Sequence, residues 1–169
     1  MKLVVTDTNV FIDLLDCKLV RELFELPFEI HTTEFVLQEL FESQFAVLDS
    51  FIETGHLRVK KFDELEMKVI HQFQVMSKGV QKRIADRSVL YLADSLGAVL
   101  LGGDSDLRKE AEKRQVEVHG SIWLFEQFYL EKIQSAERTI NNLEKLIQVN
   151  PRIPTHLVRE SIQKLVNPT

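Results

Sequence analysis

The residues able to do chemistry in this chain are a scattered set of acids. Asp7 and Asn9 stand in the opening stretch KLVVTDTNVFIDLL, where an apolar run, Leu3 to Val5, empties into Thr6-Asp7-Thr8-Asn9. Glu39, Asp86, Asp104 and Asp106 follow. Most have an ordinary explanation. Asp is a preferred helix cap, which suits Asp7 before a helix starting near Val10 and Asp104 before a helix over 106–115. Asp86 suits a first helical turn, where negative charge meets the positive end of the dipole. Glu39 fits less well. On a helical wheel it falls between Phe35 and Val36 and beside Leu40, while Glu34, Gln38 and Glu42 share the polar side. A carboxylate at the edge of an apolar face needs a partner. If the fold gathers these acids, mutual repulsion has to be met: two unit charges 4 Å apart cost ~4 kcal/mol even at an effective dielectric of 20. A hard divalent cation such as Mg2+ or Mn2+, which takes oxygen ligands, meets it.

The elements that must position these acids alternate. Leu3–Val5, Phe28–His31, Leu57–Val59, Ala98–Leu101 and Val116–His119 read as short strands. Between them lie stretches with helical spacing. Residues 85, 89, 92, 93 and 96 form one apolar stripe, with Gly97 where a C-terminal cap belongs, and residues 133, 136, 140, 143 and 147 form another. Such alternation points to an α/β fold with a mostly parallel sheet. In such sheets ligands bind beyond the carboxyl ends of the strands. Asp7 follows the first strand, Asp104 and Asp106 follow the fourth, Glu39 lies on the helix after the second, and Asp86 opens the helix leading into the fourth.

The chain has 169 residues, read as one domain. At that size it buries roughly 70% of its unfolded surface without staples. Its one cysteine, Cys17, excludes an internal disulfide and reads as a small packing residue. No signal peptide and no run of ~20 apolar residues is evident, so a cytoplasmic protein with no membrane span is expected. The net charge of −5 argues against a generally basic nucleic-acid-binding surface, though not against a local basic patch. The five histidines show no ligand spacing. Trp123, Phe125 and Phe128 read as core. The segment Asn150-Pro151-Arg152-Ile153-Pro154 reads as a joint between two late helices, about 132–148 and 155–166.

Val-Thr-Asp7-Thr-Asn9-Val, Phe35-Val-Leu-Gln-Glu39-Leu, Ala85-Asp86-Arg-Ser-Val-Leu-Tyr-Leu-Ala93 and Leu96-Gly-Ala-Val-Leu-Leu-Gly-Gly-Asp104-Ser-Asp106-Leu come in this order, followed by Val116-Glu-Val-His-Gly120-Ser-Ile. Over most of residues 1–130 the chain resembles the PIN domain, a family of metal-dependent ribonucleases, many of whose members resemble the VapC-type toxins of toxin–antitoxin pairs. The resemblance implies a three-layer α/β/α sandwich around a sheet of about five strands, with a core over about 1–130 and helices over about 131–169. It implies an acidic quartet of Asp7, Glu39, Asp86 and Asp104 that binds Mg2+ or Mn2+ and hydrolyses RNA. Asp7 and Asp104 would be the most direct ligands, Asp86 a ligand directly or through water, and Glu39 a ligand or the group that orients the water. Asn9 would be an accessory polar group, and Asp106 a fifth acid or a helix-start residue.

One departure stands out: Gly102 occupies a position where the family often has Thr or Ser, two residues before the last acid. For holding RNA, the cluster Lys78, Lys82, Arg83 and Arg87 offers phosphate contacts, Arg87 foremost, against the alternative of a solvated helix start. The C-terminal helices either cover the core or form a groove for an antitoxin helix or a second copy of the chain. Two rival functions are a PIN-like binding module that cuts weakly or not at all, and a phosphatase with a nucleophilic aspartate. A phosphatase of the haloacid-dehalogenase pattern would want a second aspartate where Asn9 stands.

Overall fold

The structure, a computed structural model, describes residues 1–76 and 84–167. The opening apolar run forms strand β1 (Lys2–Thr6), and helix α1 (Thr8–Cys17) begins directly after Asp7. Strand β2 (Phe28–Thr33) pairs with β1, and β3 (Leu57–Lys60) pairs with β2. On the other side of β1 lie β4 (Val99–Leu101) and then β5 (Val118–His119). All pairings are parallel, and the strand order is β3-β2-β1-β4-β5. Val4 sits opposite Ile30 on one side and Val99 on the other. A central strand covered on both faces must be apolar throughout, and Val4, Val5 and Thr6 are each fully buried.

Helices cover both faces of the sheet, giving the three-layer α/β/α arrangement. Helix α6 (Ile84–Leu96) crosses β1, β2 and β4, with α3 (Glu34–Glu39) and α5 (Glu64–Met76) packed on it. Gly97 ends α6 in the left-handed region (φ +60°) as a C-terminal cap requires. Helix α1 packs on α8 (Ser121–Leu130) and α9 (Ala136–Val149), and α10 (Thr155–Val166) packs on those two. Phe11, Phe125 and Phe128 are among the largest fully buried side chains. Cys17 is buried too, and burial pushes its thiol up to about 11, as suits a packing residue. Among the described residues no helix is long and apolar enough to cross a membrane.

Most element ends differ from the sequence pattern by one or two residues, and two of the differences have a clear local reason. The fifth strand starts at Val118 rather than Val116. Gln115 adopts φ 59° and the Val116 amide donates to Ala111 O, closing the end of α7 (Ser105–Lys113) and keeping Val116 out of the ladder. The first C-terminal helix starts at Ala136 rather than near 132. Lys132 turns the chain at φ 61°, and the Ser135 hydroxyl caps α9 by accepting the Arg138 amide.

Candidate carboxylate site

The strand order reverses between β1 and β4, and a crevice opens there beyond the strand ends. Two backbone bonds fix its floor: the Asp7 amide donates to Leu101 O (2.9 Å) and the Gly102 amide to His119 O (2.8 Å). Asp7 therefore enters from β1, and Gly102 to Asp104 from β4.

Asp7 occupies the cap position of α1, with extended backbone, but its side chain caps nothing. It is 1% exposed, and among the described residues neither carboxylate oxygen has a hydrogen-bond partner. Burial first, then the charge of Asp86, with smaller contributions from Glu39 and Asp104, together push its pKa up to about 7. The Thr8 amide alongside lowers it without meeting the geometry of a hydrogen bond. So the acids that are distant in sequence act on one another at this carboxyl. A buried carboxylate with no donor is costly to keep charged, so this one is built for a partner of opposite sign or for a proton.

The other acids are held by their own elements. Asp104 does cap its helix: Oδ1 accepts the amides of Asp106 (2.9 Å) and Leu107 (3.0 Å). Both bonds fall on Oδ1, which leaves Oδ2 for another contact. Glu39, exposed at the end of α3, finds the partner its position demanded in the Thr8 hydroxyl, which donates to Oε2 at 2.7 Å. The Thr33 hydroxyl caps α3 by accepting the Val36 amide and is hydrogen-bonded at 2.7 Å to the buried Ser88 hydroxyl. That contact ties the helix carrying Glu39 to the helix whose first turn carries half-buried Asp86. Asp106 is exposed in the first turn of α7, 3.8 Å from Lys109.

The donor set is oxygen-only and anionic, which fits a hard divalent cation, and the orphaned Asp7 oxygens fit a ligand role. Asp86, Glu39 and Asp104 Oδ2 complete the candidates. They do not close on a single point: among the described residues, no group of three or more His, Cys, Asp or Glu is arranged to hold a metal ion. Gly102 lies against this pocket. A Cβ there would come 3.0 Å from Leu107 Cδ2 and 3.9 Å from Asp7 Cβ, so Leu107 fills the space where a Thr or Ser side chain would start.

A family model described as a PIN domain matches residues 3–167, which includes every acid named above. The chain belongs to the PIN-domain family. No protein among the curated ones matches it. The family match runs through α10, so the C-terminal helices are part of the PIN-domain span, beyond the stretch whose motifs are readable by eye. PIN domains are generally nucleases.

Of the residues expected to touch RNA in this PIN domain, Lys78, Lys82 and Arg83 lie outside the described residues. Arg87, expected to contact phosphate, is buried at 4% exposure, and burial lowers its pKa while Asp86 raises it. Asn9 is half-buried and lines a groove of about 1070 Å3 with Gly103, Asp104 and Ser105. The groove continues past Arg108, His119 and Trp123 to the turn between α9 and α10. Sequence reading missed Thr8, Ser88 and Arg108. The available signal was spacing: Thr8 adjoins Asp7, Ser88 lies two residues past Asp86, and Arg108 lies one helical turn past Asp104.

Proposed function

We propose that this PIN domain is a Mg2+- or Mn2+-dependent endoribonuclease acting through Asp7, Glu39, Asp86 and Asp104. The observation that carries the reading is Asp7: an enclosed carboxyl with no donor on either oxygen, pressed by three other carboxylates. When bound, the divalent ion would supply Lewis-acid polarisation of the phosphoryl group and acidification of water. Asp7 is assigned as principal ligand, with Asp86 and Asp104 Oδ2 completing the set, and Asn9 as an accessory polar group at the groove. Glu39 is assigned to orienting the attacking water and holding its proton. Its bond from the Thr8 hydroxyl supports this by fixing Oε2 on an otherwise exposed side chain.

The test is RNA hydrolysis with and without Mn2+ or Mg2+ by wild type, Asp7→Asn and Asp104→Asn. Cleavage in metal by wild type alone is the expected result. Wild type cutting no better than both variants overturns the reading. The finer assignment is the cytoplasmic toxin of a toxin–antitoxin pair. It is supported by the groove opening beside Asp104, where a partner helix or a second copy of the chain would cover the pocket. Inhibition of cleavage by the product of an adjoining small reading frame tests it. One observation favours a module that holds RNA but cuts weakly: the carboxylates stand apart, and Asp104 Oδ1 and Glu39 Oε2 are already engaged. The same cleavage assay decides between these readings.

A further inference from the structure

We infer that Arg108 is the phosphate-gripping residue of this pocket, binding the RNA backbone next to the bond that is hydrolysed. The inference rests on the nuclease reading above. Four carboxylates around one crevice repel a polyanion, so a productive substrate needs a fixed cation at the same mouth. Arg108 stands beside Asp104, the one of these four acids that lines the same groove. It lines the groove together with Asn9, Gly103, Asp104 and Gly120. It is half-buried, and its guanidinium is tethered by one bond, Nη1 donating to Val118 O at 3.3 Å.

Its charge is not spent on a carboxylate. Among the described residues Arg108 has no ion-pair partner, although Asp104 lies one turn away and lines the same groove. Arg58, Arg114 and Arg138 each meet an acid: Glu29 for Arg58, Asp94 and Glu110 for Arg114, and Glu22 for Arg138. Arg21, Arg152 and Arg159, which also lack such a partner among the described residues, are exposed and free to move. Of these seven arginines, all among the described residues, Arg108 alone combines partial burial, a tether and no ion pair. A glycine borders it: a Cβ on Gly120 would sit 3.8 Å from Nη2, so no side chain at that position covers the guanidinium. A planar fork with one edge anchored and the other uncovered is the geometry that takes phosphate oxygens in pairs.

The grip is local. Farther along, the groove carries Asp13, Asp16, Glu126 and Glu160 against Arg152 and Lys164, a balance that does not favour a long polyanion. Arg108 therefore accounts for one phosphate, and losing it should cut the salt dependence of RNA binding by ~0.7 in the log–log slope. The test is anisotropy of a labelled, mixed-sequence 16-nucleotide single-stranded RNA (a length chosen for the probe, about one OB-fold site at most) over a KCl series. The parent is the full chain carrying Asp7→Asn, so that the probe stays intact. Arg108→Gln, which keeps an amide to bond Val118 O, is expected to weaken binding roughly tenfold at low salt and to lower the slope. Arg108→Lys is expected to keep the slope and still bind more weakly, because it lacks the fork. Melting curves establish that each variant is folded; should Arg108→Gln not fold, Arg108→Lys carries the test through its affinity. Parent-like affinity and slope in the variants overturn the assignment of Arg108 and leave the nuclease reading standing. A parent that binds no RNA at all overturns the assignment of Arg108, and the cleavage assay on wild type decides the nuclease reading separately.

Discussion

Asp7 and Asp13 lie six positions apart in sequence and are both enclosed, at 1% and 6% exposure. Burial raises the pKa of each. What surrounds their oxygens differs. Asp13 Oδ2 accepts the Ser121 hydroxyl at 2.5 Å, and Oδ1 accepts Asn150 Nδ2 at 2.9 Å. Those bonds lower its pKa against the effect of burial and join α1 to the start of α8 and the end of α9. Asp7 has no such donor and faces Asp86, Glu39 and Asp104 instead. One buried carboxylate is thus a structural joint. The other is a cost that the fold carries, and such costs mark sites of function.

Substituting the two residues should therefore push activity and stability in opposite directions. Asp7→Asn is expected to lower RNA cleavage by roughly 100-fold or more, the size of loss expected when a principal charge-stabilising group goes. The same change should stabilise the metal-free fold. The folded pKa of Asp7, about 7, lies above its ordinary 3.8. Its contribution is thus fully favourable below pH 3.8 and is lost as pH rises through about 7. Above that, the penalty amounts to at most ~4 kcal/mol, or on the order of 10 °C in a chain of this size. Melting in EDTA at pH 8 and pH 5 should show Asp7→Asn above wild type, with the gap narrowing at the lower pH. A wild-type chain that melts no lower at pH 8 than Asp7→Asn would erase the contrast with Asp13.

Asp13→Ala should do the reverse. It leaves the Ser121 and Asn150 donors without their acceptor, at ~1–3 kcal/mol for each buried group. Denaturation should show that loss, while cleavage per folded molecule stays within a few-fold. Thr8→Val, nearly isosteric, should cost about 1 kcal/mol and reduce cleavage by about tenfold, because Glu39 loses the bond that orients it. Gly102→Ser should give the smallest effect, about 1 kcal/mol of strain against Leu107. Leu107→Val in the same chain should recover it, as read from the melting temperature.

The sheet was legible in the sequence because a central parallel strand must be apolar on both faces, so β1 and β4 announce themselves as unbroken runs, while β2 (FEIHTT) shows only a short apolar–polar alternation. The edge strand β5 is shorter than its apolar pattern because Val116 packs into the core before the ladder begins, while its amide closes the end of α7. Asp7 and Asp104 could not be told apart by type or spacing. Both follow a strand, both precede a helix and both occupy a cap position, but only Asp104 takes the amides. That difference lives in side-chain geometry. The arginines show the same limit. Arg87 has the neighbourhood of a surface cation and is buried, whereas Arg108 sits unremarked in the charged run SDLRKEAEK and faces the groove.

The most direct measurement is calorimetric titration of Mn2+ into the EDTA-stripped chain at pH 8 and pH 5.5. If Asp7 is the unsatisfied ligand at the centre of the pocket, wild type binds Mn2+ at pH 8 and binds it more weakly at pH 5.5, where a proton occupies the Asp7 carboxyl. Asp7→Asn then shows no saturable heat at either pH. Equal Mn2+ binding by wild type and Asp7→Asn would contradict the account.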